Sequence, residues 1–142
     1  MNADERAPVP EHLQIGEVAA ATELSIKTIR HYDEVGLVAP SARSAGGFRL
    51  YTRADIDRLL VIRRMKPLGF SLEDMGALLD AQDKLGDNDS GPSERAAARE
   101  RLADFHARAE DACRRLARQL DYAQELTAQL AAHLGEDSDS RR

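Results

Sequence analysis

The sequence predicts a mainly α-helical chain: a small helical domain carrying one β-hairpin, followed by a single long helix. Three observations predict it. Aromatics make up only 4% of the 142 residues and Trp is absent, a composition rich in Ala, Leu and Arg that favours helix. Gly and Pro gather at two main places, APSARSAGGF (39–48) and KLGDNDSGP (84–92), where elements must end. From Ser93 to Leu134 there is neither Gly nor Pro, and apolar residues recur there at spacings of four and three, the signature of a coiled coil.

The first eleven residues, MNADERAPVPE, lack the apolar core of a secretory signal and read as a disordered tail. Residues 15–21 read as a short helix with Ile15, Val18 and Ala19 on one face. TELS interrupts it. Ser25 is a good N-cap for a second helix, with Leu24 and Ile29 at the positions of a hydrophobic staple and Gly36 as its stop. Helix, tight turn and second helix form a helix-turn-helix. In the second helix Ile26, Ile29 and Val35 are expected to turn inward. Lys27, Thr28, Arg30, His31 and Glu34 are left outward, and such donors suit phosphates and base edges. Arg30 could instead pair with Glu34, at i+4.

Residues 39–51 read as a hairpin with Gly46-Gly47 at its tip, both expected to need positive φ. Arg43 lies on one arm, and Arg49 and Tyr51 on the other. A hairpin after a helix-turn-helix is a wing. Phe48 is expected to pack the wing onto the body, while Tyr32 and Tyr51 are expected to divide between core packing and phosphate contact. Thr52-x-x-Asp55 is a capping box opening a third helix over 53–66, with Ile56, Leu59, Leu60 and Ile62 apolar and Arg63, Arg64 and Lys66 near its end. Ser71-x-x-Asp74 opens a fourth helix to about Asp83, with Leu72, Met75, Leu78 and Leu79 inward. The expected division is thus a domain over 12–83, a linker over 84–92, the long helix over 93–134 and a polar tail over 135–142.

That long helix carries the stripe Leu102, His106, Ala109, Cys113, Leu116, Leu120, Ala123, Thr127, Leu130 and Leu134. Forty-two helical residues span about 60 Å, and a lone helix cannot bury such a stripe. A second copy of the chain is the expected cover, with Leu102, Ala109, Cys113, Leu116, Leu120, Ala123 and Leu130 in the dimer seam.

The formal charge of −5 hides an asymmetry. Residues 12–70 carry nine Lys/Arg against six Asp/Glu, whereas residues 71–142 carry ten against sixteen. The first part is the candidate for a polyanion. One cysteine, Cys113, rules out an intrachain disulfide and fits a reducing cytoplasm. No apolar run approaches the roughly 20 residues of a membrane span. No nucleophile is paired with a base, and there is no phosphate-cradling Gly loop; the four histidines lie on separate elements. An enzyme is not expected, and no cofactor is called for. Cys113 reads first as a small apolar seam residue and second as a thiol sensor near the middle of the helix. His106, Glu110 and Cys113 share a helix face, but one helix rarely supplies a closed zinc site, so no metal is expected.

TIRHY (28–32), GGFRLY (46–51), the acidic residue opening the third helix and LGFSLEDM (68–75) together resemble the MerR family of bacterial transcription regulators, over about residues 14–80, with the long helix following. The resemblance implies a winged helix-turn-helix DNA-binding domain followed by a long antiparallel coiled-coil dimerisation helix. It implies a homodimer on a pseudo-palindrome in an overlong promoter spacer, which bends and untwists the DNA so that RNA polymerase can use it. Carried over, Lys27, Thr28, Arg30, His31 and Tyr32 fall on the recognition helix, and Arg43, Phe48, Arg49 and Tyr51 on the wing. Arg63 and Lys66 fall where the third helix approaches the DNA backbone. His31 and Phe48 stand where tyrosine is common in the family, which bears on operator sequence. Metal-sensing relatives carry a cysteine-bearing loop where this sequence has GEDSDSRR, iron–sulfur sensing needs several cysteines, and drug-sensing relatives carry an extra domain. A small ligand, a thiol signal or no effector remain open. The competing reading is a winged-helix adaptor or architectural protein that holds a protein partner or binds DNA nonspecifically.

Overall fold

The computed structural model describes residues 12–140, with side chains through Glu136; the expected N-terminal tail and the last two residues lie outside this range. The chain divides between Leu102 and Ala103. Helix α1 (Ile15–Thr22) starts where the Gln14 N–H donates to Glu17 Oε1 at 3.1 Å. Val18 and Thr22 are fully buried, and the Thr22 hydroxyl donates back to the Val18 carbonyl at 2.8 Å. Glu23 closes the helix with φ of 58°, a left-handed conformation that costs an L-residue roughly 1–2 kcal/mol.

Helix α2 (Ile26–Glu34) is capped as expected: the Ser25 hydroxyl accepts the Thr28 N–H at 3.0 Å. Beyond it Gly36, at φ 75°, turns the chain so that the Leu37 N–H reaches the Tyr32 carbonyl at 2.8 Å and the Gly36 N–H reaches that of Asp33, the paired bonds of a Schellman ending. The inward residues differ from the expected set. Ile29 and Tyr32 are buried, whereas Ile26 and Val35 are 38% and 49% exposed. Ile26 and Val35 sit at the two ends of the helix, and the large ring of Tyr32, one turn after Ile29, fills the inward face instead.

The hairpin gains a third strand. β1 (Leu13–Gln14) pairs antiparallel with β3 (Arg49–Tyr51), which also pairs with β2 (Ala42–Arg43), in the order β1-β3-β2. Two residues before a helix carry too little pattern to signal a strand. At the tip the Gly47 N–H donates to the Ser44 carbonyl and the Ser44 N–H to that of Phe48, both at 2.9 Å. Only Gly47 has positive φ, 81°; Gly46 does not, and its hydrogen faces the Phe48 ring, where a Cβ would lie 3.1 Å from the nearest carbon. Phe48 is 68% exposed, so it stands out from the wing and does not anchor it to the body.

Helix α3 (Arg53–Met65) opens on the expected capping box, with Thr52 Oγ1 accepting from the Asp55 N–H. Asp55 does more than cap: its Oδ2 accepts from the Thr52 N–H at 2.9 Å, the Ser41 N–H at 3.2 Å and the Ser41 hydroxyl at 2.6 Å. It therefore ties the base of the wing to α3. Ile56, Leu59, Ile62 and Met65 are buried, while Leu60 is half-buried. α1 packs against both α2 and α3. A 3-10 turn, Lys66–Leu68, leads to Gly69 and then to α4 (Leu72–Gly86), capped by Ser71 and Asp74. Met75 and Leu79 are buried, but Leu72, expected inward, is 43% exposed at the first position of the helix.

α4 runs three residues past its expected end, so Lys84, Leu85 and Gly86 are helical and not linker. Arg95 supplies the reason. Its guanidinium donates to the carbonyls of Leu85 (3.0 Å), Asp87 (2.7 Å) and Ser90 (3.3 Å), satisfying acceptors that a helix end leaves open. The last helix, α5 (Pro92–Ser140), also exceeds its expected end at Leu134. Gly135 costs only about 1 kcal/mol in a helix and removes no backbone donor, so the polar tail through Ser140 stays helical.

Candidate nucleic-acid interface

The outward face of α2 carries Lys27, Arg30 and His31, all exposed, with Thr28 half-buried beside them. Its register is set by Ser25 at the start, by Ile29 and Tyr32 beneath and by Gly36 at the end. The Ser25 hydroxyl also donates to Thr28 Oγ1 at 2.8 Å, which leaves the threonine's own proton to donate outward. Arg30 forms no ion pair with Glu34 or any other group among the described residues, so its guanidinium keeps its donors. His31 and Tyr32 lie with ring centroids 6.2 Å apart and tilted by 45°.

The wing stands beside this face through Asp33, a residue the sequence reading passed over. Arg43 and Arg49 are direct partners across the β2–β3 ladder. Asp33 Oδ2 accepts from Arg49 Nε at 2.7 Å and from Arg43 Nη2 at 3.2 Å. The bond to Asp33 is the main cause that raises the Arg49 pKa above its usual value. One carboxylate on α2 thereby holds both wing arginines. Its signal in the sequence was indirect: two arginines at opposed hairpin positions require a counter-charge nearby. Each guanidinium has five N–H donors, so several remain for another acceptor.

The remaining expected residues fall into different settings. Tyr32 is 4% exposed and Tyr51 fully buried, which makes both core residues; the Tyr51 hydroxyl is buried and unsatisfied, and a direct phosphate contact is not open to it. Desolvation is the first cause that raises both tyrosine pKa values. Arg63 pairs with Glu23 at 2.6 Å, which also ties α3 to the left-handed turn. Lys66 is exposed and in no ion pair among the described residues. On α5, Cys113, Leu116, Leu120, Ala123 and Leu130 are exposed, whereas Leu102 and Ala109 are half-buried. Buried Ala98, Phe105 and Ala112 recur every seven residues along the adjoining stripe. His106 Nδ1 lies 3.3 Å from Glu110 Oε1; no group of three or more His, Cys, Asp or Glu among the described residues could hold a metal ion.

A capped helix-turn-helix with an arginine-bearing hairpin beside its second helix is the build of a winged helix-turn-helix DNA-binding protein. Two family models match the chain: the MerR HTH family regulatory protein over residues 13–82, and MerR, DNA binding, over residues 56–122. The chain belongs to the MerR family of DNA-binding transcriptional regulators. It is 46% identical over 66 residues to the HTH-type transcriptional activator TipA of Streptomyces coelicolor, covering 46% of this chain and 26% of TipA. It is also 46% identical over 66 residues to the HTH-type transcriptional regulator ZntR of Escherichia coli, covering 46% of this chain and 47% of ZntR. The chain thus spans about a quarter to a half of the length of these curated relatives. Among solved structures it resembles HiNmlR, a MerR family regulator lacking the sensor domain, bound to promoter DNA, with a TM-score of 0.64 and 25% identity over 85% of this chain and 89% of that one. No helix among the described residues is long and apolar enough to cross a membrane.

Proposed function

We propose that the chain is a sequence-specific transcriptional regulator that binds double-stranded promoter DNA as a homodimer. The observation that carries this reading is the outward face of α2: Lys27, Thr28, Arg30 and His31 present donors from a helix locked by its caps, with the two wing arginines held beside it by Asp33. Arg30 and His31 suit base edges in a major groove, which admits one α-helix. Lys27, Arg43, Arg49, Arg63 and Lys66 suit phosphates, which position the protein without reading sequence. Phe48, exposed at the wing tip, suits apolar contact with the sugar edge. Similarity to a promoter-bound MerR structure supports the same mode.

Dimerisation is supported by the exposed side chains Leu116, Leu120, Leu126, Leu130 and Leu134 along α5, a stripe that a solvated monomer would not retain. Two such helices crossing antiparallel bring Cys113 close to its mate near the twofold axis. The spacing of half-sites is then a property of the dimer, and regulation proceeds by distorting promoter DNA for RNA polymerase. A small molecule or thiol signal biasing that distortion completes the reading.

The test is selection of bound duplexes from a genomic fragment library at physiological salt, since low salt inflates nonspecific binding. Recovery of an inverted repeat between promoter elements is expected; a pool with no shared sequence would overturn the specific-regulator reading. On that operator Arg30→Ala is expected to weaken binding more than tenfold with an unchanged fold and oligomeric state. Equal affinity of the variant would remove Arg30 from the interface.

A further inference from the structure

A cleft of about 420 Å³ opens between the outward face of α2 and the segment running from the 3-10 turn into α4. Lys27, Thr28 and His31 line it from α2 and Lys66 from the turn, while Tyr32, Phe70, Leu72 and Met75 supply its apolar wall. Its volume lies within the roughly 300–1,000 Å³ typical of small-molecule sites, which are apolar with a few convergent polar groups.

Two features narrow the occupant. Neither Lys27 nor Lys66 is in an ion pair among the described residues, so two cations border the same apolar space, and no carboxylate lines it. Thr28 keeps a hydroxyl proton to donate, because its oxygen already accepts from Ser25. The wall combines buried Tyr32 and Met75 with Leu72, an apolar side chain left 43% exposed at the mouth of the cleft. Aromatic rings and a thioether favour a flat π-surface. An anion with an apolar, planar body meets both halves of this lining; a neutral or cationic compound leaves the lysines unmatched.

We propose that this cleft binds a small aromatic carboxylate, with its carboxylate between Lys27 and Lys66 and its ring against Tyr32, Leu72 and Met75. Because Lys27, Thr28 and His31 also belong to the face proposed to meet DNA, the ligand and DNA exclude one another; this consequence rests on the DNA-binding reading, but the site itself does not.

The probe is 2-naphthoate, with neutral 2-naphthamide as its counterpart, titrated into the full chain carrying ¹³C-methyl methionine. Ring currents should shift the Met75 methyl saturably. Met65, buried on α3 and absent from the cleft, serves as the internal reference and should not move. The amide is expected to bind at least tenfold more weakly than the carboxylate, and Lys66→Gln to weaken naphthoate at least fivefold. Leu72→Trp, at an exposed position that tolerates bulk, should abolish the Met75 shift while the Met65 resonance stays in place. A Met75 methyl that does not move up to millimolar naphthoate, equal binding of the amide, or parallel shifts of Met65 and Met75 would each overturn the site. With the operator duplex at saturation, naphthoate is expected to leave Met75; retention at unchanged affinity overturns the exclusion. Failure of DNA binding itself would leave the Met75 titration untouched, so the two readings fail separately.

Discussion

Arg43 and Arg49 face each other across the β2–β3 ladder, and like charges directly opposed in a sheet are destabilising. Asp33 offsets that repulsion from the neighbouring helix, with bonds of 2.7 and 3.2 Å. Its side chain is only 13% exposed, while Arg43 is about half exposed. Charge-assisted bonds contribute roughly 1.5–3 kcal/mol when shielded and less when solvated. Asp33→Ala is therefore expected to lower stability by about 1–2 kcal/mol, read as a lower urea midpoint at unchanged slope. A midpoint within error of the parent protein would mean that the wing needs no counter-charge. The two buried tyrosines make a second prediction at this scale. Burial raises both pKa values above the ordinary value near 10, so the neutral phenol is the native form. Their contribution is complete below about pH 10 and is lost as pH rises through the higher native values. In an alkaline titration of the Tyr122→Phe chain, which removes the exposed third tyrosine, phenolate absorbance from Tyr32 and Tyr51 should appear together with loss of helical circular dichroism; early ionisation in a fully folded chain would contradict their burial.

At the scale of elements, the wing and α3 act as one unit because Asp55 serves both. Its Oδ2 accepts from Thr52 and twice from Ser41. Asp55→Ala removes the acceptor for all three donors, of which those of Ser41 can turn to water. The expected loss is about 2 kcal/mol, with faster hydrogen exchange of the Ser41 and Thr52 amides than of the α1 amides. Uniform protection across the wing would show that the sheet, and not Asp55, holds it. The helix caps at Ser25, Thr52 and Ser71 were legible because capping is local: a hydroxyl and an N–H three residues on suffice. β1 was not, because a two-residue strand is defined by its partner β3. Nor was the exposure of Phe48, since an aromatic ring on a short hairpin has no local signal that says whether a surface lies beneath it.

For the whole molecule, charge and apolar exposure are divided along the chain. Lys27 and Arg30 on α2 and Lys66 on the 3-10 turn are in no ion pair among the described residues, and most of the exposed leucines lie on α5. Leu120, 56% exposed in the single chain, lies mid-stripe and is expected to be buried by a second copy. Leu120→Glu should shift the chain from dimer to monomer in sedimentation at micromolar concentration and weaken operator binding with it, while the melting of residues 12–86 is retained. A dimer of unchanged affinity would place the seam elsewhere on the helix.

The sequence by itself determined the order of the helices and the hairpin, the caps at Ser25, Thr52 and Ser71, the outward set on α2 and the family, because these depend on residues a few positions apart. Its inward assignments of Ile26, Val35 and Leu72 were altered by tertiary packing, since a periodic pattern cannot say where a neighbouring surface ends. Only the tertiary structure brought Asp33 to the wing arginines, Asp55 to Ser41, Arg95 to the end of α4 and Lys66 to Lys27 across one cleft. Each of these joins groups at least eight residues apart in the chain or on separate elements. Their meeting follows from the way helices and sheet close around Val18, Ile29, Tyr51 and Leu59, and burial of that core is a collective property that no local spacing encodes.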